Sequence, residues 1–257
     1  MPRYFLELSY KGTRYIGFQV QENANSVQAE VEKAFEIYFR KRVLMTGSSR
    51  TDTGVHALQN YFHFDLDVVI PGKAIYNLNS ILPADIVIRN FLEMPSGSHC
   101  RFDAISREYR YYLYQEKNPF MDDRAFFYPY KLNLDALSQA AGILLRYSDY
   151  AAFSKRNTQA KTSECSIQSS EWVQENGSIV YQVRANRFLR GMVRGLTGTM
   201  IQIGRGKTTL EEFESIIQSG DNTRADFAVP ARGLFLCRVN FSPGYLPGLT
   251  KNGNGEV

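Results

Sequence analysis

Apolar and polar residues alternate from Arg3 to Tyr10 with the period of two that a half-buried strand requires. A glycine-containing stretch, 11–22, interrupts that pattern. Asn25-Ser26 then offers an N-cap for a helix in which Val27, Val31, Phe35 and Tyr38 recur at helical spacing. Residues 43–46 read as a short strand delivering the glycine-flanked segment 47–54, and residues 61–64 read as another. Pro71-Gly72 opens a helix to about Leu82, where Pro83 stops it, and 85–92 is again β-rich. Residues 106–115 form a long aromatic strand pattern with Tyr109, Tyr111 and Leu113 on one face. A helix is predicted over 134–145. The runs 166–174 and 179–184 flank Glu175-Asn176-Gly177-Ser178, a hairpin signal. Helices over 188–203 and 210–217 and a strand over 233–241 complete the pattern, and the Gly-, Pro- and Asn-containing tail from Ser242 is expected to be mobile. Strands, hairpins and helices mixed in both halves predict an α+β fold rather than a doubly wound parallel sheet, with a boundary near 96–106.

Composition adds little to this picture: 257 residues, 44% hydrophobic and 22% charged, describe an ordinary globular chain able to bury a core. The start runs straight into the first strand, so no signal peptide is predicted, and no stretch reaches the roughly 18 apolar residues of a membrane span. Cys100, Cys165 and Cys237 stand far apart without a Cys-x-x-Cys pair, and His56, His63 and His99 lack His-x-x-x-His spacing. Neither a metal site nor a redox motif is expected, and reduced thiols suit a cytoplasmic protein. The net charge of +4 is modest, but its distribution is uneven: Arg184, Arg187, Arg190 and Arg194 crowd together, and Arg40-Lys41-Arg42, Arg107, Arg110, Lys155 and Arg156 form further clusters. Such groups suit phosphate contacts, although each alone also reads as a solvated face.

Two motifs fail on inspection. Gly204-Arg205-Gly206-Lys207-Thr208 ends like a phosphate-binding loop, but its first glycine would have to be residue 201, which is Ile201, and the segment follows a helix. Asp52-Thr53-Gly54 spells the aspartic-protease triplet, yet it occurs once, and Arg50-Thr51 replaces the apolar strand that normally precedes it. A hydrolase would therefore have to be a symmetric dimer. In Gly47-Ser48-Ser49-Arg50-Thr51-Asp52-Thr53-Gly54-Val55-His56-Ala57 the carboxylate sits on a segment that can turn sharply and expose it. A guanidinium nearby keeps a carboxylate ionised, as a nucleophile must be. On these residues alone Asp52 is either a catalyst or an Asx-turn capping its own loop.

The same segment resembles the active-site signature of the TruA family of tRNA pseudouridine synthases. Four further matches follow in order. Tyr10-x-Gly12-x-x-Tyr15-x-Gly17-Phe18-Gln19 with Ser26-Val27-Gln28 resembles the family's N-terminal loop and first helix. His99-x-Arg101-Phe102 with Arg107-x-Tyr109-Arg110-Tyr111 resembles its central strand. Asn186-x-Phe188-x-x-x-Met192-Val193-Arg194 resembles its late helix, and Gly233-Leu234-Phe235-Leu236 its closing strand. The chain departs from the family's usual residues at Lys11, Phe18, Ser49, Thr53 and Gly195, none of which is a reacting group.

The resemblance implies the pseudouridine synthase fold: an N-terminal α/β domain over 1–104 carrying the catalytic loop, a C-terminal α/β domain over 105–241, and a tail over 242–257. Mixed, mainly antiparallel sheets would flank a basic cleft. It further implies a homodimer without cofactor, isomerising uridine to pseudouridine at positions 38, 39 and 40 of the tRNA anticodon stem-loop. Asp52 matches the nucleophile, Arg50 the arginine that helps displace the base, and Arg194 the basic residue paired with the aspartate. Tyr109 matches the tyrosine lying against the flipped base, with a core aromatic on a strand as the alternative. Spacing of i, i+3 and i+7 would set Arg187, Arg190 and Arg194 on one helix face as a phosphate-contacting stripe. A catalytically silent RNA-binding protein remains the alternative from another class.

Overall fold

Most of these segments close their backbone hydrogen bonds as the pattern requires in the computed structural model, which describes residues 1–155 and 161–247. In chain order the elements are β1 (Arg3–Tyr10), α1 (Val27–Phe39), β2 (Thr46–Gly47), β3 (His56–Asp65), α2 (Ala74–Ile81), β4 (Ile86–Met94) and β5 (Ala104–Tyr114). There follow β6 (Phe126–Phe127), α3 (Leu134–Ile143), β7 (Ile167–Glu175), β8 (Ser178–Ala185), α4 (Met192–Gly204), α5 (Leu210–Ser219) and β9 (Leu234–Phe241). Ser26 caps α1 by accepting from the Ala29 amide. Thr209 and Glu212 close a capping box on α5, so Gly204–Thr208 is the connection between two helices. Asn176 and Gly177, at φ 49° and 76°, make the tight β7–β8 turn.

The strands form one sheet in the order β4-β1-β3-β9-β5-β8-β7, with β2 added to β3 and β6 to β5. Pairing is antiparallel except for β5–β6 and the short β3–β9 ladder, where His56 faces Phe235 and Ala57 faces Leu236. The expected class, α+β with mixed and mainly antiparallel strand pairing, is what forms. The halves share a single sheet because β9, last in the chain, pairs with β3 on one side and β5 on the other. Each half keeps its own core. Val31 and Phe35 of α1 and Leu78 of α2 pack with β1, β3 and β4, while Leu137 of α3, Leu196 of α4 and Phe213 of α5 pack with β5, β7 and β8. Tyr109 packs against both. Among the described residues no helix is long and apolar enough to cross a membrane.

Three expectations need correction. Residues 43–45 do not pair as a strand: side chains from α1 take the Met45 backbone instead, Glu32 accepting from its amide at 3.1 Å and Gln28 donating to its carbonyl at 2.9 Å. The tail does not leave the body at Ser242. The Tyr245 ring stacks on Phe241 at 5.4 Å and its hydroxyl donates to the Asp103 carboxylate; residues 248–257 of the tail expected to be mobile, and Arg156, lie outside the described residues. The late helix begins at Met192 rather than near 188, because Gly191 adopts φ 75° as its N-cap and turns the chain there. Arg187 and Arg190 therefore lie in the turn before α4, and the shared helix face with Arg194 does not exist.

Candidate active site

The segment carrying Asp52 is held from both sides by the N-terminal half. Beyond β2, the Ser48 amide donates to the Tyr61 carbonyl at 2.8 Å, and the buried Asn60 amide donates to the Ser49 carbonyl at 2.9 Å. Tyr10 Oη and Thr51 Oγ1 are 2.7 Å apart in the interior, and the Phe18 amide donates to the Thr51 carbonyl at 3.1 Å. The Val55 amide closes a turn onto the Asp52 carbonyl at 3.1 Å, and the Gly54 amide reaches the Tyr15 carbonyl at 3.4 Å. With its neighbours fixed inward, the loop turns Arg50 and Asp52 outward: Arg50 is exposed, and the Asp52 side chain is 34% exposed. Gly12 has to be glycine, since a Cβ there would lie 2.0 Å from the Val55 carbonyl oxygen.

His56, immediately after the loop, joins the two halves. Its Nδ1 accepts from the Gly12 amide at 3.0 Å, which leaves the proton on Nε2 to donate to the Arg232 carbonyl at 3.0 Å. Burial pushes its pKa below the usual histidine value, so the ring stays neutral and both bonds persist. The departure at Lys11 is a surface ion pair with Asp123, and Phe18 stacks on Phe62 at 4.6 Å.

The C-terminal half supplies the facing groups. Arg190 Nε lies 3.9 Å from Asp52 Oδ1, an ion pair across the two halves with the arginine 57% exposed. Tyr109, half-buried on β5, has Phe188 edge-on at 5.1 Å. Its hydroxyl is held protonated by burial first, then by Tyr10, with the Asp52 carboxylate adding and Arg107 opposing. Asp52 thus lies within electrostatic reach of a neutral phenol.

Arg194 stands elsewhere than the resemblance implies. Its Nε and Nη2 donate to the Val229 carbonyl at 2.8 and 2.6 Å, and Nη2 also to Phe227 at 3.4 Å. Among the described residues it makes no ion pair with Asp52 within 4.0 Å; the Arg190 contact is the one present. Together with Tyr111, whose hydroxyl donates to the Pro230 carbonyl at 2.7 Å, Arg194 braces segment 227–230, which leads to Ala231 behind Gly54. Gly195 belongs to the same brace, since a side chain there would meet the Phe227 ring.

The remaining cations divide in two. Arg110 pairs with Glu175, and Arg107 donates to the carbonyls of Ala104, Arg101 and Asn186, so these are structural. Among the described residues the Arg187 side chain reaches only Thr162 Oγ1, at 3.3 Å, and Arg50 makes no hydrogen bond or ion pair. Burial, then Arg50, then Arg187 lower the pKa of Arg101. No three His, Cys, Asp or Glu side chains among the described residues converge to hold a metal ion. Sequence reasoning missed the ion-pair role of Arg190 and the bridging role of His56. The signal for His56 was its place directly after the loop.

Residues 144–242 match the family described as tRNA pseudouridine synthase. The tRNA pseudouridine synthase A of Porphyromonas gingivalis is 43% identical over 244 residues, which cover 93% of this chain and 97% of that protein. The chain belongs to the tRNA pseudouridine synthase A family. Its similarity extends to members bearing the same name from Azobacteroides pseudotrichonymphae, 39% identical over 94% of this chain and 97% of that protein, and from Staphylococcus aureus, 34% identical over 92% and 91%. Coverage of this extent includes both halves of the sheet, and so both sides of the Asp52 site.

Proposed function

We propose that this chain is an isomerase that converts uridine to pseudouridine in tRNA, at positions 38, 39 and 40 of the anticodon stem-loop, with Asp52 as the nucleophile. The observation that carries the reading is the setting of Asp52 within this family. Its carboxylate is turned outward by a loop hydrogen-bonded on both sides, with the Arg190 guanidinium 3.9 Å away and Tyr109 nearby.

The chemistry follows from those groups. The ionised carboxylate adds to the target nucleotide at ribose C1′ or at base C6; the N1–C1′ bond breaks, the uracil turns, and C5 bonds to C1′ as the aspartate leaves. The proton on C5 is then transferred to N1 overall, so atoms balance without an external reactant. Covalent participation divides one hard step into easier ones. The Arg190 guanidinium stands against the carboxylate and orients it, and the Tyr109 ring supports the base at the end of its excursion. A uridine within a stem must first leave its stack at a cost of a few kcal/mol, and the exposed Arg50 is placed to occupy the space it vacates. Residues 1–104 carry the nucleophile in this reading, and 105–241 complete the cleft. Arg187 contacts phosphate, and the working form is a cytoplasmic homodimer. Mapping of pseudouridine in tRNA transcripts incubated with the purified protein tests the function: new pseudouridine at 38–40 supports it, and unmodified transcripts refute it. Sedimentation of the protein tests the dimer.

A further inference from the structure

The loop before β5 carries an aromatic ring for which neither the fold nor the reaction above has a use. Phe102 is 74% exposed, although its backbone is fixed. The His99 amide donates to Asp103 Oδ2 at 2.7 Å, the Asp103 amide donates to the His99 carbonyl at 3.0 Å, and the Arg101 and Phe102 amides point at His99 Nδ1 at 3.2 and 3.4 Å. The His99 ring lies against one face of Phe102 at 4.2 Å and is itself supported by His63 at 4.4 Å. The Arg101 guanidinium sits 5.7 Å from the Phe102 centroid. Single exposed apolar residues are common and need no explanation. A ring set on an aromatic support, in a closed loop, among guanidiniums is a different object.

Its position adds the second argument. Arg107 donates to the Arg101 carbonyl at 2.6 Å and to the Asn186 carbonyl at 3.1 Å, tying this loop to the turn that carries Arg187 and Arg190. Arg190 in turn reaches Asp52. An apolar ring beside Arg101, which makes no ion pair among the described residues, suits a partner that is flat, π-rich and attached to negative charge. An unpaired nucleobase on its phosphate backbone has that chemistry.

We propose that Phe102 is a nucleobase-stacking platform, its exposed face receiving an unpaired base of the RNA substrate at the rim of the Asp52 site. This rests on the tRNA reading above. The ring is preorganised, so little ordering is lost on binding, and stacking supplies affinity that does not depend on base identity or salt.

The test measures affinity for a tRNA transcript in which the wild-type protein forms pseudouridine, using Phe102→Ala, Phe102→Leu and Phe102→Tyr. Stacking predicts that Ala and Leu each weaken binding about tenfold or more, that Tyr binds within about twofold of wild type, and that the slope of log Kd against log salt is unchanged. Thermal midpoints stay at the wild-type value because the side chain is exposed. Wild-type affinity in the Ala or Leu variant, or a Tyr variant as weak as Ala, overturns the proposal while leaving the enzymatic reading intact. A wild-type protein that modifies no transcript removes that reading, and this proposal with it.

Discussion

On one side of the site, Ser48, Ser49, Thr51, Asp52, Gly54 and Val55 each commit a backbone group to a neighbour. On the facing side, Asn186 Oδ1 accepts from the Ser166 and Arg187 amides at 2.8 Å each and the Arg190 carbonyl accepts from the Lys155 amide at 2.9 Å, but the guanidiniums of the turn reach outward on long side chains. The difference matches what each side has to do. A nucleophile must be placed to a fraction of an ångström, and only backbone hydrogen bonds and close packing hold a short side chain that well. Cations that meet a polyanion tolerate a longer reach, because phosphate attraction is not sharply directional.

If that contrast is right, damage to the pinned side should cost catalysis far more than damage to the cationic side. After removal of Asp52 itself, the largest effect is expected from Gly12→Ala, whose Cβ collides with the Val55 carbonyl oxygen at 2.0 Å. The loop has to shift, so kcat for pseudouridine formation should fall by roughly 100-fold, with about 1–3 kcal/mol lost from the urea unfolding free energy. A Gly12→Ala protein with wild-type kcat would show that the loop tolerates displacement.

His56→Gln comes next. It disturbs two buried bonds, to the Gly12 amide and the Arg232 carbonyl, and should destabilise the fold by about 1–3 kcal/mol. Because burial lowers the folded pKa of His56, its contribution is complete above the unfolded value of about 6.5 and declines as pH falls below it. The stability gap between wild type and His56→Gln should therefore narrow from pH 7 to pH 5. His63 and His99, also shifted downward, are present in both proteins and cancel in the difference. A gap that widens with acid would mean that His56 carries its charge in the fold.

The smallest effects separate two arginines. Arg190→Ala should lower kcat roughly tenfold while changing stability by less than about 1 kcal/mol, as suits a half-exposed ion pair. Arg194→Ala should do the reverse in kind, costing about 1–3 kcal/mol of stability by abandoning the Val229 and Phe227 carbonyls. Any loss of rate should follow from slack behind Gly54. If Arg194→Ala leaves stability untouched and lowers kcat more than Arg190→Ala, the assignment of the partner to Asp52 must be exchanged.

What could be read in the sequence divides along the same line. Local signals carried far: the alternation of β1, the Ser26 cap, the Asn176-Gly177 turn, and the segment that presents Asp52 with Arg50 beside it. Each depends on neighbours within a few residues. The insertion of β9 between β3 and β5 depends on pairing across the whole chain, and no local pattern reports it. The helical spacing of Arg187, Arg190 and Arg194 misled because one residue, Gly191 at φ 75°, restarts the chain direction between them. Met45 reads as strand by composition, yet its hydrogen bonds go to side chains of α1, a choice made by packing. Arg107 and Arg110, whose charge suited either phosphate contacts or a solvated face, are occupied by carbonyls and by Glu175.

The central claim is that the Asp52 carboxylate, set on this loop, reacts with the target nucleotide. Its most direct test is single-turnover pseudouridine formation by Asp52→Ala, measured beside its affinity for the same tRNA. Loss of more than about 10³-fold in rate with affinity near that of wild type is the predicted result. Pseudouridine formed at the wild-type rate would contradict it.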